Sequence, residues 1–131
     1  MADHPNAALV RGLLEAFAAG DTDSMEAAFA EDVVWHAPGT NRFSGRFDGR
    51  RAAMHRLARM REEGISTTFD VHDVVANEDH VVALVHIHLE TPDGRRYEQP
   101  QVQVAHVRGG TIAELWLMNQ DQAVLDEMIG R

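Results

Sequence analysis

The sequence predicts an α+β fold, in which three N-terminal helices pack on a strongly curved antiparallel sheet. Up to residue 63, apolar residues mostly recur at the spacing of amphipathic helices, with one short strand-like run among them. From Ser66 onwards the apolar period changes to two, which is typical of half-buried strands. Short turns separate the later runs, and such turns join antiparallel neighbours.

The first helix is expected to begin at a cap supplied by Asp3 or Asn6, with Pro5 in its first turn. Gly20 is expected to end this helix, because glycine readily adopts the left-handed conformation found after helices. Five apolar residues recur at helical spacing and form one face of the helix: Leu9, Val10, Leu13, Leu14 and Phe17.

A shorter helix follows, with Asp21 or Thr22 as its cap. Two of its residues are expected on the buried side, Met25 and Phe29. We expect Glu31-Asp32 to end the helix and a strand to run from Val33 to His36. That strand stops at a Pro-Gly turn and passes into a loop rich in Asn, Arg, Phe and Ser, a common way to form the mouth of a pocket.

The third helix is predicted to run from Arg50 to Glu63, with Asp48 as its N-cap and Gly64 as its end. Its inward-facing residues are expected to be Ala53, Leu57 and Met60. Seven of the twelve arginines lie between Arg42 and Arg61. This basic cluster indicates either a solvated helix face or a site for an acidic group, and the solvated face is favoured.

Four strand-like runs are predicted to form the sheet: residues 66–77, 80–90, 95–108 and 111–118. Pro100 is expected to mark a bulge or bend in the third of these runs, because proline lacks the N–H that a ladder needs. The tail from residue 120 is expected to form a last helical turn or two. Its inward-facing residues would be Val124, Leu125 and Met128.

Composition excludes several functional classes for these 131 residues, which we treat as a single domain over residues 1–131. The chain contains neither Cys nor Lys, which excludes thiolate and Schiff-base catalysis. A net charge of −9 argues against nucleic-acid binding, and no apolar run is long enough to cross a membrane. The N-terminus lacks the basic region of a signal peptide, so we expect a cytoplasmic protein.

The segment 19–39, AGDTDSMEAAFAEDVVWHAPG, together with SGRFDGRRA at 44–52 and VANE at 75–78, resembles the nuclear transport factor 2-like superfamily. Within it, the chain resembles the SnoaL-like branch, which includes polyketide cyclases and has ketosteroid isomerase as a cousin. The resemblance implies a cone-shaped α+β barrel with an apolar cavity, a homodimer, and no cofactor. It also implies that the cavity holds an apolar or aromatic small molecule.

The same resemblance excludes the ketosteroid isomerase mechanism. That enzyme uses a general-base Asp and an oxyanion hole built from a Tyr and a protonated Asp. By the resemblance, the corresponding positions are Ala37, Leu13 and Val104, and all three side chains are apolar. A cyclase instead needs an acidic residue near the end of the last strand, which the resemblance places at Asp121, beside Asn119.

Asp121 is therefore a candidate base, supported by Asn119, although its position equally suits a helix N-cap. His36 and His106 are reserve candidates, because imidazole titrates near neutral pH. A structural role for His36, with a hydrogen bond to the adjoining loop, is favoured over a catalytic one. The candidate ligand-binding residues that shape the cavity are aromatic: Phe17, Trp35, Phe43 and Trp116. Either face of the last strand could line the pocket, the one with Trp116 and Met118 or the one with Leu115, Leu117 and Asn119.

The remaining histidines raise the question of a metal. Strand alternation places His86 and His88 on one face, far along the strand from a predicted pair of His80 and His106. A metal needs three or four converging ligands, and Glu90 and Glu98 lie near these histidines. A polar dimer surface is nevertheless favoured, and no metal site is expected. Two functions remain open: an enzyme of cyclase, isomerase or hydrolase type, and a non-catalytic ligand-binding or assembly module.

Overall fold

The computed structural model describes residues 3–131, which form four helices and six strands. The helices are α1 (Pro5–Ala19), α2 (Thr22–Ala28), α3 (Arg50–Glu62) and α4 (Gln122–Ile129). The strands are β1 (Phe29–Ala37), β2 (Gly45–Asp48), β3 (Ser66–Ala76), β4 (His80–Glu90), β5 (Arg96–Arg108) and β6 (Thr111–Asn119). The predicted α+β class, with three N-terminal helices before the long strands, is confirmed.

The strands form one open sheet in the order β2-β1-β6-β5-β4-β3. Strands β3 to β6 pair as the predicted antiparallel meander. The prediction of a wholly antiparallel sheet is wrong at one place, because β1 runs parallel to β6. That pairing joins residues about eighty positions apart, so no local turn signal could reveal it.

Strand β1 is longer than predicted, because it begins at Phe29 and continues through the acidic pair at 31–32. Its register against β6 shifts between Phe29 and Val34. Glu31 and Asp32 lie in this irregular segment and point to solvent, so they do not end the helix as expected.

The predicted cap of α2 is confirmed, whereas α1 is capped by a residue that was not predicted. His4, rather than Asp3 or Asn6, caps α1, with its Nδ1 accepting from the Asn6 amide at 3.1 Å. Asp21 caps α2, and Gly20 ends α1 in the left-handed conformation, as predicted.

Helix α3 begins after Gly49, which has no side chain to cap it, so the prediction of Asp48 as N-cap is wrong. Asp48 instead ends β2 and forms an ion pair with Arg46 at 2.8 Å. Strand β2 was expected to be loop, since four exposed or half-exposed residues carry no period-two signal.

Two further expectations are corrected near the C-terminal end of the sheet. Pro100 causes no bulge, because the β4–β5 register runs through it without a shift. The Pro100 carbonyl accepts from the backbone N–H of Gln120, which lies just beyond the end of β6. Strand β6 has therefore ended opposite Pro100, and the ladder on that side needs no N–H from the proline. Val124 is 48% exposed and does not pack inward, whereas Leu125 and Met128 pack on the core.

The core lies between the helices and the sheet face formed by the odd-numbered residues of β1, β4, β5 and β6. Its larger part joins α1, α2 and α3 to the middle of the sheet. A smaller cluster gathers Phe43, Ile65 and the end of α4 near the far end of β4. A cavity remains between these two parts of the core.

Candidate functional site

The cavity is walled by α1 and α3 on one side and by the inner sheet face on the other. Most of its lining is apolar, and β6 contributes Leu115 and Leu117 while α4 contributes Leu125 and Ile129. Its volume is about 70 Å³. An engineered cavity that binds benzene measures about 150 Å³, so a ring would enter here only with shifts of flexible lining side chains such as Met60.

The predicted aromatic residues fall on both sides of the sheet. Phe17, Trp35 and Phe43 line the cavity, and Phe17 and Trp35 meet edge to face with ring centroids 6.4 Å apart. Trp116 does not line this cavity, because the alternation of β6 directs it to the outer face. Leu115, Leu117 and Asn119 are the residues of β6 that line the cavity.

Arg56 is the one charged side chain that lines the cavity within residues 3–131. It is 8% exposed, and its Nε donates to the Phe43 carbonyl at 2.9 Å. Its guanidinium carbon lies 4.8 Å from the Trp35 ring centroid and 5.5 Å from that of Phe47, so two aromatic rings flank the cation.

No carboxylate pairs with Arg56 in the described part of the chain, and its other guanidinium nitrogens have no protein hydrogen bond there. Burial, with a smaller effect of nearby Arg59, lowers the pKa of Arg56 to about 10. The side chain therefore stays charged at neutral pH. A desolvated cation without a counter-ion attracts an anion or a strongly polarised oxygen.

Polar side chains on the sheet wall of the cavity form a hydrogen-bonded chain that starts at Gln103. Gln103 donates to Gln101 at 2.8 Å, and Gln101 donates to Asn119 at 2.9 Å. Asn119 then donates to Gln122 at 2.8 Å, and Gln122 donates to Asp126 at 2.9 Å. We call these five residues the amide chain.

The carboxylate of Asp126 fixes the direction of the amide chain. An ionised carboxylate only accepts, so Gln122 must present its NH₂ group to it, and each earlier amide follows the same orientation. The last free acceptor of the chain is then Oε1 of Gln103, which has no protein donor among residues 3–131. The cavity thus presents a cation at Arg56 and a carbonyl oxygen at Gln103.

Asp126 also joins the chain to the loop between β1 and β2. Asn41 donates to it at 2.8 Å and Thr40 at 3.3 Å. Partial burial raises the pKa of Asp126, but hydrogen bonds from Gln122, Asn41 and Thr40 outweigh that effect and leave the pKa below its ordinary value. The carboxylate is therefore ionised at neutral pH, as the orientation of the chain requires.

The two residues predicted at the end of β6 have different positions. Asn119 lines the cavity as the middle member of the amide chain. Asp121 is exposed and caps α4, its carboxylate accepting from the Val124 amide at 3.3 Å. Gln99 fixes the same turn, because its side chain exchanges hydrogen bonds with both the N–H and the C=O of Asp121. Asp121 is outside the lining of the cavity.

His36 and His106 lie on the outer face of the sheet. His36 stacks on Trp116 with ring centroids 5.4 Å apart and pairs with Glu114 at 2.5 Å. His106 lies beside His80, with ring centroids 5.1 Å apart, as predicted. Neither His36 nor His106 lines the cavity, and the sheet separates both from Arg56.

The three positions compared with ketosteroid isomerase also lie on different sides of the sheet. Leu13 and Ala37 line the cavity. Val104 faces outward beside Trp116, and the inward residue at this point of β5 is Gln103. Val104, which the resemblance aligns with the protonated Asp, is thus on the outer face, because the alternation of the strand places its neighbour Gln103 in the cavity.

Sequence reasoning missed the groups that give the cavity its polarity. Three glutamines at every second position of β5, residues 99, 101 and 103, do form a period-two signal for one shared face. Arg56 gives a weaker signal, because it stands beside Leu57 on the buried stripe of α3 within a run of arginines. Gln122 and Asp126 share one side of α4 through their i, i+4 spacing.

A model of the family described as SnoaL-like domain matches residues 10–115, which is most of the chain. The chain belongs to the SnoaL-like domain family. The resemblance read from the helix break, the strand entry and the loop motifs is thereby confirmed. A comparison with curated proteins finds no match.

Solved structures support the same assignment. Bal32a, from a soil-derived mobile gene cassette, is 26% identical, with a TM-score of 0.88 over 96% of this chain and 97% of that one. A putative polyketide cyclase from Xanthomonas campestris pv. campestris is 29% identical, with a TM-score of 0.77 over 95% and 94%. TerC, co-crystallised with polyporic acid, is 18% identical and shares the fold, with a TM-score of 0.85 over 96% and 98%.

The neighbours also include a nuclear transport factor 2-like protein from Burkholderia pseudomallei, with a TM-score of 0.87. This likeness, at 20% identity, agrees with the predicted cone fold. Within residues 3–131, none of the helices of this SnoaL-like domain is long and apolar enough to cross a membrane.

Proposed function

We propose that the cavity of this SnoaL-like domain binds a small apolar or aromatic molecule that carries an anionic or strongly polarised oxygen. The observation that carries this proposal is the buried guanidinium of Arg56 in an otherwise apolar wall, with no carboxylate partner among residues 3–131. A ligand oxygen would supply the missing partner. The low dielectric of the cavity would strengthen that hydrogen bond.

The opposite wall restricts the ligand further. The free Oε1 of Gln103 is a carbonyl oxygen and can only accept, while one hydrogen of the NH₂ group is used on Gln101. A ligand with a hydroxyl group for Gln103 and an oxygen anion for Arg56 satisfies both walls. Hydroxylated aromatic acids have both groups. TerC, which shares the fold, is itself co-crystallised with an acid.

Benzoate and benzamide are a matched pair of probes for this proposal. They have one ring and nearly the same shape, so both need the same shifts of the lining side chains, but only benzoate is an anion. Quenching of tryptophan fluorescence reports their binding, because Trp35 lines the cavity. We expect benzoate to bind at least about tenfold more tightly than benzamide, as expected for a hydrogen bond to a charged group.

The variant Arg56→Met tests the role of the cation. Methionine keeps much of the apolar stem and removes the charge, so benzoate binding should weaken about 10- to 100-fold while benzamide binding changes little. Arg51→Met on the exposed side of α3 is the control and should bind benzoate as the unchanged protein does. Equal benzoate affinity in Arg56→Met and the unchanged protein would contradict the proposal.

Catalysis on the same molecule is the second candidate, of cyclase, isomerase or hydrolase type. A guanidinium beside a ligand carbonyl stabilises the enolate that forms when a neighbouring carbon loses a proton. The likeness to a putative polyketide cyclase favours such chemistry. No carboxylate or imidazole lines the cavity within residues 3–131, which instead favours the binding module. An enolisable aromatic ketone tests this candidate. Turnover that is lost in Arg56→Met and retained in Arg51→Met would support the enzyme over the binding module.

A further inference from the structure

A second cluster of functional side chains lies on the outer face of the sheet, away from the cavity. His86 and His88 project from β4, and Glu98 projects from β5 beside them. One ligand atom of each residue lies within 4.8 Å of those of the other two. The sequence suggested two separate histidine pairs with Glu90 and Glu98 nearby, and the structure brings Glu98 to His86 and His88.

The spacing within this cluster suits a small divalent cation. The Glu98 carboxylate oxygens lie 3.3 Å from His88 Nδ1 and 3.4 Å from His86 Nε2. Zinc bound at about 2.0–2.1 Å in a tetrahedral shell separates its ligand atoms by about 3.3 Å. Two of the three separations therefore match a zinc shell, although they involve different oxygens of Glu98. The ligand atoms of the two histidines lie within 4.8 Å of each other, so shared binding needs these rings to close in on one ion.

Asp70 on β3 determines which nitrogen of His88 is available. Its carboxylate lies 2.7 Å from His88 Nε2 and only accepts, so the Nε2 proton points towards Asp70. In the neutral imidazole, Nδ1 then has a free lone pair and faces Glu98. A carboxylate that holds the far nitrogen of a ligating histidine is a recurrent feature of zinc sites, where it fixes the orientation of the ring.

The geometry points to a zinc site on the outer sheet face, formed by His86, His88 and Glu98 and oriented by Asp70. Two imidazoles and one carboxylate make the donor set of zinc sites that keep one position open for water. The residues lie on three adjacent strands, so the bound ion would link β4 to β5 directly and β3 through Asp70. This site is independent of the cavity and of the ligand proposed for it.

Isothermal titration with zinc sulfate near neutral pH, on the full chain, tests the site. We expect saturable binding of one zinc ion per chain. His88→Ala and Glu98→Gln should weaken it more than about 100-fold, and Asp70→Asn about 10- to 100-fold, as is usual for an orienting carboxylate. Magnesium chloride should give no saturable binding, because magnesium prefers six oxygen ligands.

His80→Ala is the matched control, because His80 belongs to the other histidine pair on the same sheet face. It should bind zinc as tightly as the unchanged protein. Equal weakening in His80→Ala and His88→Ala overturns the proposal, as does the absence of saturable zinc binding. Half an ion per chain, with formation of a dimer, also overturns it, because zinc would then be held between two copies.

Discussion

Asp121 illustrates how the role of one residue depends on the direction of its side chain. It follows a cavity-lining strand, but its carboxylate accepts from the Val124 amide and its backbone is fixed by Gln99. Proton transfer to a ligand in the cavity requires a group within hydrogen-bond reach. The geometry of Asp121 therefore favours a structural role at the start of α4.

The two roles of Asp121 predict different results for a pair of variants. As a cap, Asp121→Ala should lower the free energy of unfolding by about 1 kcal/mol, while Asp121→Asn, which still accepts a hydrogen bond, should change it by a few tenths. Urea denaturation measures both. Benzoate affinity should be the same in both variants under native conditions, and a loss confined to ligand binding or turnover would restore Asp121 as a site residue.

At the scale of elements, the loop between β1 and β2 and helix α4 depend on each other. Gly39 has a φ of +94°, and a Cβ there would collide with the side chains of Asp126 and Gln122. Arg42 donates to the Ile129 carbonyl, and the Arg42 amide donates to the Gly130 carbonyl at 2.9 Å. The mouth of the cavity is therefore formed by the loop and the helix together.

A comparison of two glycines with similar φ angles distinguishes the effect of this contact from the effect of backbone strain. Gly94 has a φ of +85° and open space around its Cα, so Gly94→Ala should cost about 1–2 kcal/mol through strain alone. Gly39→Ala should cost clearly more, because it also displaces the end of the amide chain. Urea denaturation of both variants measures the difference, and equal losses would show that the contact with α4 contributes little.

At the scale of the whole molecule, Asp126 makes stability depend on pH. Its pKa is lower in the folded chain than in the unfolded one, so the stability it contributes is complete above the unfolded pKa of about 3.9. That contribution is lost as the pH falls through the lower, folded pKa. The free energy of unfolding should therefore decline on acidification to about pH 3 and below.

The variant Asp126→Asn isolates this contribution from other carboxylates. It should be less stable than the unchanged protein at neutral pH, because an amide accepts fewer of the three hydrogen bonds from Gln122, Asn41 and Thr40. Its stability should also fall less on acidification. Urea denaturation at several pH values measures both slopes, and parallel curves for the two proteins would contradict the assignment.

The fold was predictable because its signals are local. Apolar spacing located α1 and α3, the short turns located β3 to β6, and glycine marked the end of α1. Strand β2 and the parallel pairing of β1 with β6 depend on contacts between distant segments, which leave no periodic trace. The cap of α2 was predicted, but α1 is capped by His4 instead of Asp3 or Asn6, and α3 begins after Gly49 without a side-chain cap.

The site was less predictable than the fold, because polar residues give the same signal whether buried or exposed. The arginines of α3 suggested a solvated face, yet Arg56 is buried between Trp35 and Phe47. The glutamines of β5 had a visible period, but only the tertiary structure shows that Asn119 and Gln122 continue their hydrogen bonds to Asp126. Three of the four aromatic candidates line the cavity, and Trp116 does not, because the sequence left open which face of the last strand points inward.

The amide chain has a consequence for how related sequences can diverge. Replacing one member by an apolar residue leaves two neighbours without partners, which costs more than losing one hydrogen bond. Its members should therefore change together during evolution, as a covarying block, while the apolar wall residues drift independently. Relatives that keep Asp126 should keep the amides as well, and relatives that lose it should have an apolar or reoriented wall and a different ligand.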